Sequence, residues 1–108
     1  MDCDVLKNNV DVAVLHALQG SALSGSNLLV HFKTCFHQQL SSGTVYACLN
    51  RLELSGLVKR QPISATRRLY VLTAQGKSVL RQRVLALVYF AKYLGSAKKE
   101  SLEALNFG

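Results

Sequence analysis

Ser41-Ser42-Gly43-Thr44-Val45-Tyr46-Ala47-Cys48-Leu49-Asn50-Arg51-Leu52-Glu53-Leu54-Ser55-Gly56-Leu57-Val58-Lys59-Arg60, followed shortly by Arg67-Arg68-Leu69-Tyr70-Val71-Leu72-Thr73, changes hydrophobic period in its middle. Up to Leu54, Val45, Leu49 and Leu52 recur at i, i+4 and i+7, the spacing of one helix face. Ser41 to Thr44 reads as the start of that helix and Gly56 as its stop. From Leu57 on, the runs Leu57–Arg60 and Arg68–Leu72 are rich in β-branched and aromatic residues and predict two strands. Gln61 to Arg67 joins them. Pro62 cannot donate to a β-ladder, so it fits a hairpin tip better than a strand interior.

Upstream, Asn8 or Asn9 can cap a first helix whose stripe is Val10, Val14 and Leu18, with Ala13 and Ala17 beside it and Gly20 as its C-terminal cap. Ser21–Ser26 reads as a loop. A short second helix follows from Asn27 to about Lys33, with Leu28, Leu29 and Phe32 on its apolar side, and Thr34–Leu40 is a connector. Beyond the hairpin, Thr73 can cap a last helix from about Ala74 to Leu94. Leu80, Val84, Leu87, Ala91 and Leu94 follow a 4-3-4-3 spacing like that of a coiled coil, with Val88 close by. Leu85, Val88, Tyr89, Phe90 and Tyr93 make the remaining surface of that helix apolar too. One small domain cannot cover a helix that is apolar nearly all round, so a partner surface is implied. The expected divisions are residues 1–72 as the main region, 73–95 as a dimerisation helix, and 96–108 as a short mobile tail.

The chain has 108 residues, room for one domain, and 49% of them are apolar, which argues against intrinsic disorder. The longest unbroken apolar run, Val84–Ala91, is eight residues, too short to span a membrane. Met1-Asp2-Cys3-Asp4 is acidic and lacks the basic-then-apolar order of a signal peptide. Three cysteines without regular spacing do not form a disulfide framework and fit a reducing compartment, so a cytoplasmic, nucleoid-associated location is expected. The net charge is +7 and is unevenly placed. Residues 51–92 hold nine cations against Glu53 alone, whereas residues 1–50 carry a net −1. Ordinary surfaces intersperse both signs, so this stretch points to a polyanion, with nucleic acid first.

Three helices and then a two-stranded hairpin with arginines at its tip is the order of a winged helix-turn-helix, an α+β, mainly helical fold. The residues also resemble a family. Asn9 through Gly20, Gly25, Ser42-Gly43-Thr44-Val45-Tyr46, Arg51-Leu52-Glu53, Gly56-Leu57-Val58 and Arg67 through Gly76 look like the PadR-type transcriptional regulators. The resemblance covers about residues 9–90 and is nearest to the small members that end in a single dimerising helix. The chain departs from the pattern in having Ser26-Asn27 where an aromatic often follows Gly25, and in its short wing loop.

With Val45, Leu49 and Leu52 inside, the third helix shows Thr44, Ala47, Asn50 and Arg51 outward, suiting the major groove. Asn can pair bidentately with adenine and Arg with guanine, while Ala or a Thr methyl can touch a thymine methyl. Ser41 and Ser42 at the helix start suit a phosphate. The resemblance implies that Tyr46 gives its hydroxyl to the DNA backbone; its alternative role is core packing. Arg60 adds to the basic wing. Arg67 and Arg68 are consecutive on a strand and so face opposite ways, one toward DNA and the other toward local packing.

No glycine-rich phosphate loop, nucleophile elbow or paired-carboxylate spacing appears, so no enzyme and no cofactor are expected. His31, Cys35 and His37 lack an evident fourth ligand, so no metal is expected either. Cys35 and Cys48 are open to two readings, redox sensor or small buried hydrophobe. The resulting expectation is a homodimeric, sequence-specific DNA-binding regulator, a repressor by resemblance, with double-stranded DNA and a second copy of itself as partners. Family members often sense flat aromatic compounds, for which Tyr89, Phe90 and Tyr93 are the candidate effector contacts, with interface packing as their other role. The alternatives are an architectural or partition factor on arrayed sites, and a winged-helix module for protein assembly.

Overall fold

The computed structural model describes residues 4–105, and side chains over residues 5–96. Its elements run α1 (Asp4–Asn8), α2 (Val10–Gly20), α3 (Gly25–Phe36), α4 (Ser42–Leu54), β1 (Val58–Pro62), β2 (Arg68–Leu72) and α5 (Ala74–Leu105). The helix-helix-helix-hairpin-helix order read from the sequence is present, as an α+β, mainly helical winged helix-turn-helix.

Local chemistry sets the element ends. Ser24 caps α3 reciprocally: its hydroxyl accepts from the Asn27 N–H at 3.0 Å, and its own N–H donates to Asn27 Oδ1 at 3.1 Å. Asn27 therefore lies inside the first turn, and the second helix is longer than Asn27–Lys33 in both directions. It ends at His37, left-handed at φ 54°, whose N–H donates to the Lys33 carbonyl. Ser41 caps α4 by accepting from the Thr44 N–H at 3.1 Å. At the other end Gly56, at φ 77°, lets the Gly56 and Leu57 N–H groups reach the Glu53 and Leu52 carbonyls. Asn9 precedes α2 without a side-chain cap bond, because its amide instead donates to the Val5 carbonyl at 2.8 Å and closes α1, a helix the periodicity did not predict.

β1 and β2 pair antiparallel from Val58↔Leu72 to Pro62↔Arg68. Pro62 thus ends a strand instead of sitting in the tip, which is Ile63–Arg67. A terminal strand position tolerates the missing donor. Leu23, expected in a loop, bridges to Tyr70 through two backbone hydrogen bonds and extends the sheet by one residue. The core lies between α2, α3, α4 and the sheet, around Val14, Leu15, Leu28, Phe32, Val45 and Leu49. Thr73 fixes the start of α5 by accepting from the Gly76 N–H and donating to the Gly56 and Leu57 carbonyls. A Cβ on Gly76 would overlap the Leu57 carbonyl oxygen, so only glycine allows this approach.

Two expectations about α5 change. The helix does not end at Leu94: it continues through Leu105, so most of the supposed tail from residue 96 is helical, and residues 106–108 lie outside those described. Glycine inside a helix costs only about 1 kcal/mol relative to alanine, and the Ala, Lys, Glu and Leu that follow Gly95 are good helix formers. The heptad stripe is also divided. Leu80 is buried in the chain's own core at 2% exposure, so it is not free to meet a partner, whereas Val84, Leu87, Ala91 and Leu94 are exposed. The stripe starts on the domain and leaves it as the helix runs outward.

Candidate nucleic-acid interface

α4 buries Val45, Cys48, Leu49 and Leu52. At about 100° per residue the opposite crest is Gly43, Ala47, Asn50 and Leu54, all exposed. Two clefts flank this crest. On one side Tyr46 borders a cleft of about 500 Å³ with Gly25, Asn27, Arg67 and Arg68. On the other, Thr44, Ala47 and Arg51 border a cleft of about 490 Å³ with Lys7, Asp11 and Arg83.

On the wing side, the Tyr46 ring lies over Gly25, where any Cβ would collide with it. The tyrosine stays half exposed and is not a core residue. Arg67 and Arg68 both border this cleft, contrary to the alternation expected of two strand residues. Arg67 belongs to the turn, where its N–H donates to Ser64 Oγ at 3.1 Å, so the pleat does not set its direction.

On the other side, the Arg51 guanidinium is not free toward the groove as the helix wheel suggested. Its Nη2 donates to Asp11 Oδ1 at 2.7 Å, and the same oxygen accepts from Cys48 Sγ at 3.1 Å. Burial raises the Asp11 pKa, but the Cys48 and Arg51 hydrogen bonds, with the charges of Arg51 and Arg83, outweigh it and hold it below the ordinary carboxylate value. Burial, then the Asp11 hydrogen bond and charge, push the Cys48 thiol up to about 12. Buried and bonded to Asp11, Cys48 fits the reading as a small buried hydrophobe better than that of a sensor. Asp11, 40 residues from Arg51, carried no signal in motif or spacing, and neither did Lys7 or Arg83.

Ser41 and Thr44 are joined to each other, Oγ to Oγ1 at 2.8 Å, and Ser42 is exposed beside them. Arg60 faces Glu53, Nε to Oε2 at 3.5 Å. Cys35 is exposed, with its sulfur within 4 Å of the His31 ring, and among the described residues no three His, Cys, Asp or Glu side chains are grouped to hold a metal. Tyr89, Phe90 and Tyr93 are exposed on α5, with Phe90 and Tyr93 stacked at 6.2 Å. Among the described residues no helix is long and apolar enough to cross a membrane.

Solved structures share this architecture. A transcriptional regulator from Clostridium thermocellum is 24% identical, with a TM-score of 0.77 over 89% of this chain and 96% of that one. A PadR family regulator from Eggerthella lenta is 21% identical, with a TM-score of 0.78 over 87% and 85%. Bacillus subtilis PadR, solved with operator DNA, is 22% identical, with a TM-score of 0.62 over 81% of this chain and 60% of its own. No curated protein matches the chain in sequence. The sequence profile of the Transcriptional regulator PadR-like family matches residues 14–82, well over half the chain. With the fold, the wing and the α4 motif in agreement, this chain belongs to the PadR-like family of transcriptional regulators.

Proposed function

We propose that the protein is a sequence-specific DNA-binding repressor that acts as a homodimer, with residues 73–95 as its pairing helix. The observation that carries this reading is the α4 crest of Gly43, Ala47 and Asn50 standing clear between two basic clefts. A helix of this width fits the major groove. Asn50 would read adenine there, while Tyr46, Arg67 and Arg68 hold the backbone on the wing side. The operator complex of the Bacillus subtilis relative supports the same use of the fold, and repression follows the family resemblance.

Dimerisation is supported by the uncovered apolar surface of α5: Leu85, Leu87, Val88, Tyr89, Phe90, Tyr93 and Leu94 are all exposed in one chain. Such a surface is costly in water and is a normal mark of an interface. Tyr89, Phe90 and Tyr93 would then line it and could stack on a flat aromatic effector.

The test is selection of bound duplexes from a random pool by the full chain. A two-fold symmetric motif, with half-sites about 34–36 Å apart, is expected. Affinity should fall by roughly 10³–10⁵ between 50 and 200 mM salt if six to ten phosphates are contacted. Cooperative spreading along repeated sites would instead indicate an architectural role, and salt-insensitive or absent binding would indicate a protein-assembly module.

A further inference from the structure

The cleft on the α2 side of α4 has no part in the readout described above, yet it gathers three cations, one more than the wing-side cleft. Lys7 from α1, Arg51 from α4 and Arg83 from α5 converge on it, with Asp11 as the one carboxylate there among the described residues. Asp11 occupies only Nη2 of Arg51, and a guanidinium has five N–H donors in a fixed fork. Among the described residues neither Lys7 nor Arg83 is ion-paired. Thr44 and Ala47 form the wall that this cleft shares with the α4 crest.

We propose that this cleft is a second seat for a phosphodiester, in which Lys7 and Arg83 join Arg51 to hold the DNA strand on the side of α4 away from the wing. The inference rests on the proposed DNA-binding function and extends it to residues outside the recognition helix and wing. The geometric reason is the width of the groove. A helix about 10–12 Å across fills a major groove about 12 Å wide, so each flank of the helix meets one of the bordering backbones. The cleft with Tyr46, Arg67 and Arg68 faces one backbone, and the cleft with Lys7, Arg51 and Arg83 faces the other. Asp11 is the positioning residue of this seat: it holds the Arg51 guanidinium at the cleft wall and away from the crest, so Arg51 serves the backbone and leaves base reading to Asn50.

The experiment uses the full chain and a labelled duplex of arbitrary sequence, titrated between 50 and 200 mM salt. Lys7→Ala and Arg83→Ala should each weaken binding about 3- to 10-fold on every sequence. Each should also reduce the slope of log affinity against log salt by about 0.9 for each phosphate that is no longer neutralised. Arg81→Ala removes the same charge from the same helix outside the cleft and is the control, with sedimentation confirming an unchanged oligomer. Lys7 and Arg83 variants that move affinity and slope no more than Arg81→Ala, while the parent protein binds duplex steeply with salt, would overturn the seat and leave the DNA reading intact. Absence of salt-dependent binding by the parent protein to any duplex would overturn both. Calorimetry with inorganic phosphate separates the sources of the anion. Tight phosphate binding that Arg83→Ala abolishes, with duplex affinity unchanged, would overturn the duplex assignment in favour of a free anion.

Discussion

Asp11 Oδ1 lies 2.7 Å from Arg51 Nη2, joining the start of α2 to the exposed flank of α4 across 40 positions of sequence. Because Arg51 is largely exposed, the bond matters less for stability than for where the guanidinium points. Its pH dependence follows from Asp11. A carboxylate with a lowered folded pKa contributes stability above its unfolded value, near 3.8, and loses it as pH falls through the lower folded value. Asp11→Asn should therefore show a shallower loss of Tm than the parent protein below about pH 3.8, and the same Tm trend at pH 5–7. Thermal melts by circular dichroism measure both.

Cys48 has the opposite sign. Its raised pKa stabilises the protonated thiol, so its contribution is complete below the unfolded value of 9.0 and is lost as pH climbs toward about 12. Site-resolved thiol labelling near pH 8 should modify exposed Cys35 quickly and leave buried Cys48 unmodified until the chain unfolds. Equal labelling rates at the two positions would contradict the burial of Cys48.

Two glycines should separate stability from binding. At Gly76 the added methyl meets the Leu57 backbone, which cannot move aside, so Gly76→Ala should cost roughly 1–3 kcal/mol in denaturant unfolding. At Gly25 the obstacle is the Tyr46 side chain, which can swing away. Gly25→Ala should leave the unfolding midpoint nearly unchanged and weaken duplex binding on all sequences alike, and Tyr46→Phe should do the same.

In the proposed DNA complex, readout belongs to the crest and anchoring to the wing. Asn50→Ala should relax base preference and cost about 1–3 kcal/mol at the contacted pair. The double change Arg67→Ala with Arg68→Ala should lower affinity for all sequences and flatten the salt slope. Binding selections on each variant distinguish the two outcomes; a wing variant with an altered motif would reverse the assignment.

Leu87 tests the proposed pairing helix. It is 41% exposed in the single chain, beyond the point where α5 leaves the domain. Burying a leucine fully is worth about 1.5–3 kcal/mol, so Leu87→Glu should break the proposed dimer while circular dichroism still shows a folded chain, and operator affinity should fall with it. A folded variant that still sediments as a dimer would place the interface elsewhere.

Much of the architecture is legible in the sequence because the forces that set it are local. Helix and strand periods of 3.6 and 2 are read over a few residues, which is why α4 is found at Ser42–Leu54 and the hairpin follows it at once. Cap chemistry acts over three or four positions, so Ser41, Gly56 and Thr73 punctuate the elements as expected. The local signal weakens where two local interactions compete. Asn9 closes α1 instead of capping α2, and Gly95 is carried by the strong helix formers that follow it.

Which face a side chain takes can be read from its spacing, but what stands opposite that face cannot, because the partner arrives from a distant part of the chain by packing. Spacing alone puts Arg51 on the outer side of α4, yet only the approach of α2 gives it Asp11 and turns it toward a cleft. The same holds for Tyr46 on Gly25, and for Leu80, whose stripe is continuous in sequence although the domain covers only its first member. Local pattern in the sequence is enough for most of the elements, the outward face of α4 and the basic sign of its surroundings. Which cations are held and which leucines are left uncovered comes from packing in three dimensions, since ion pairing and burial depend on atoms within a few ångströms in space and not on positions along the chain.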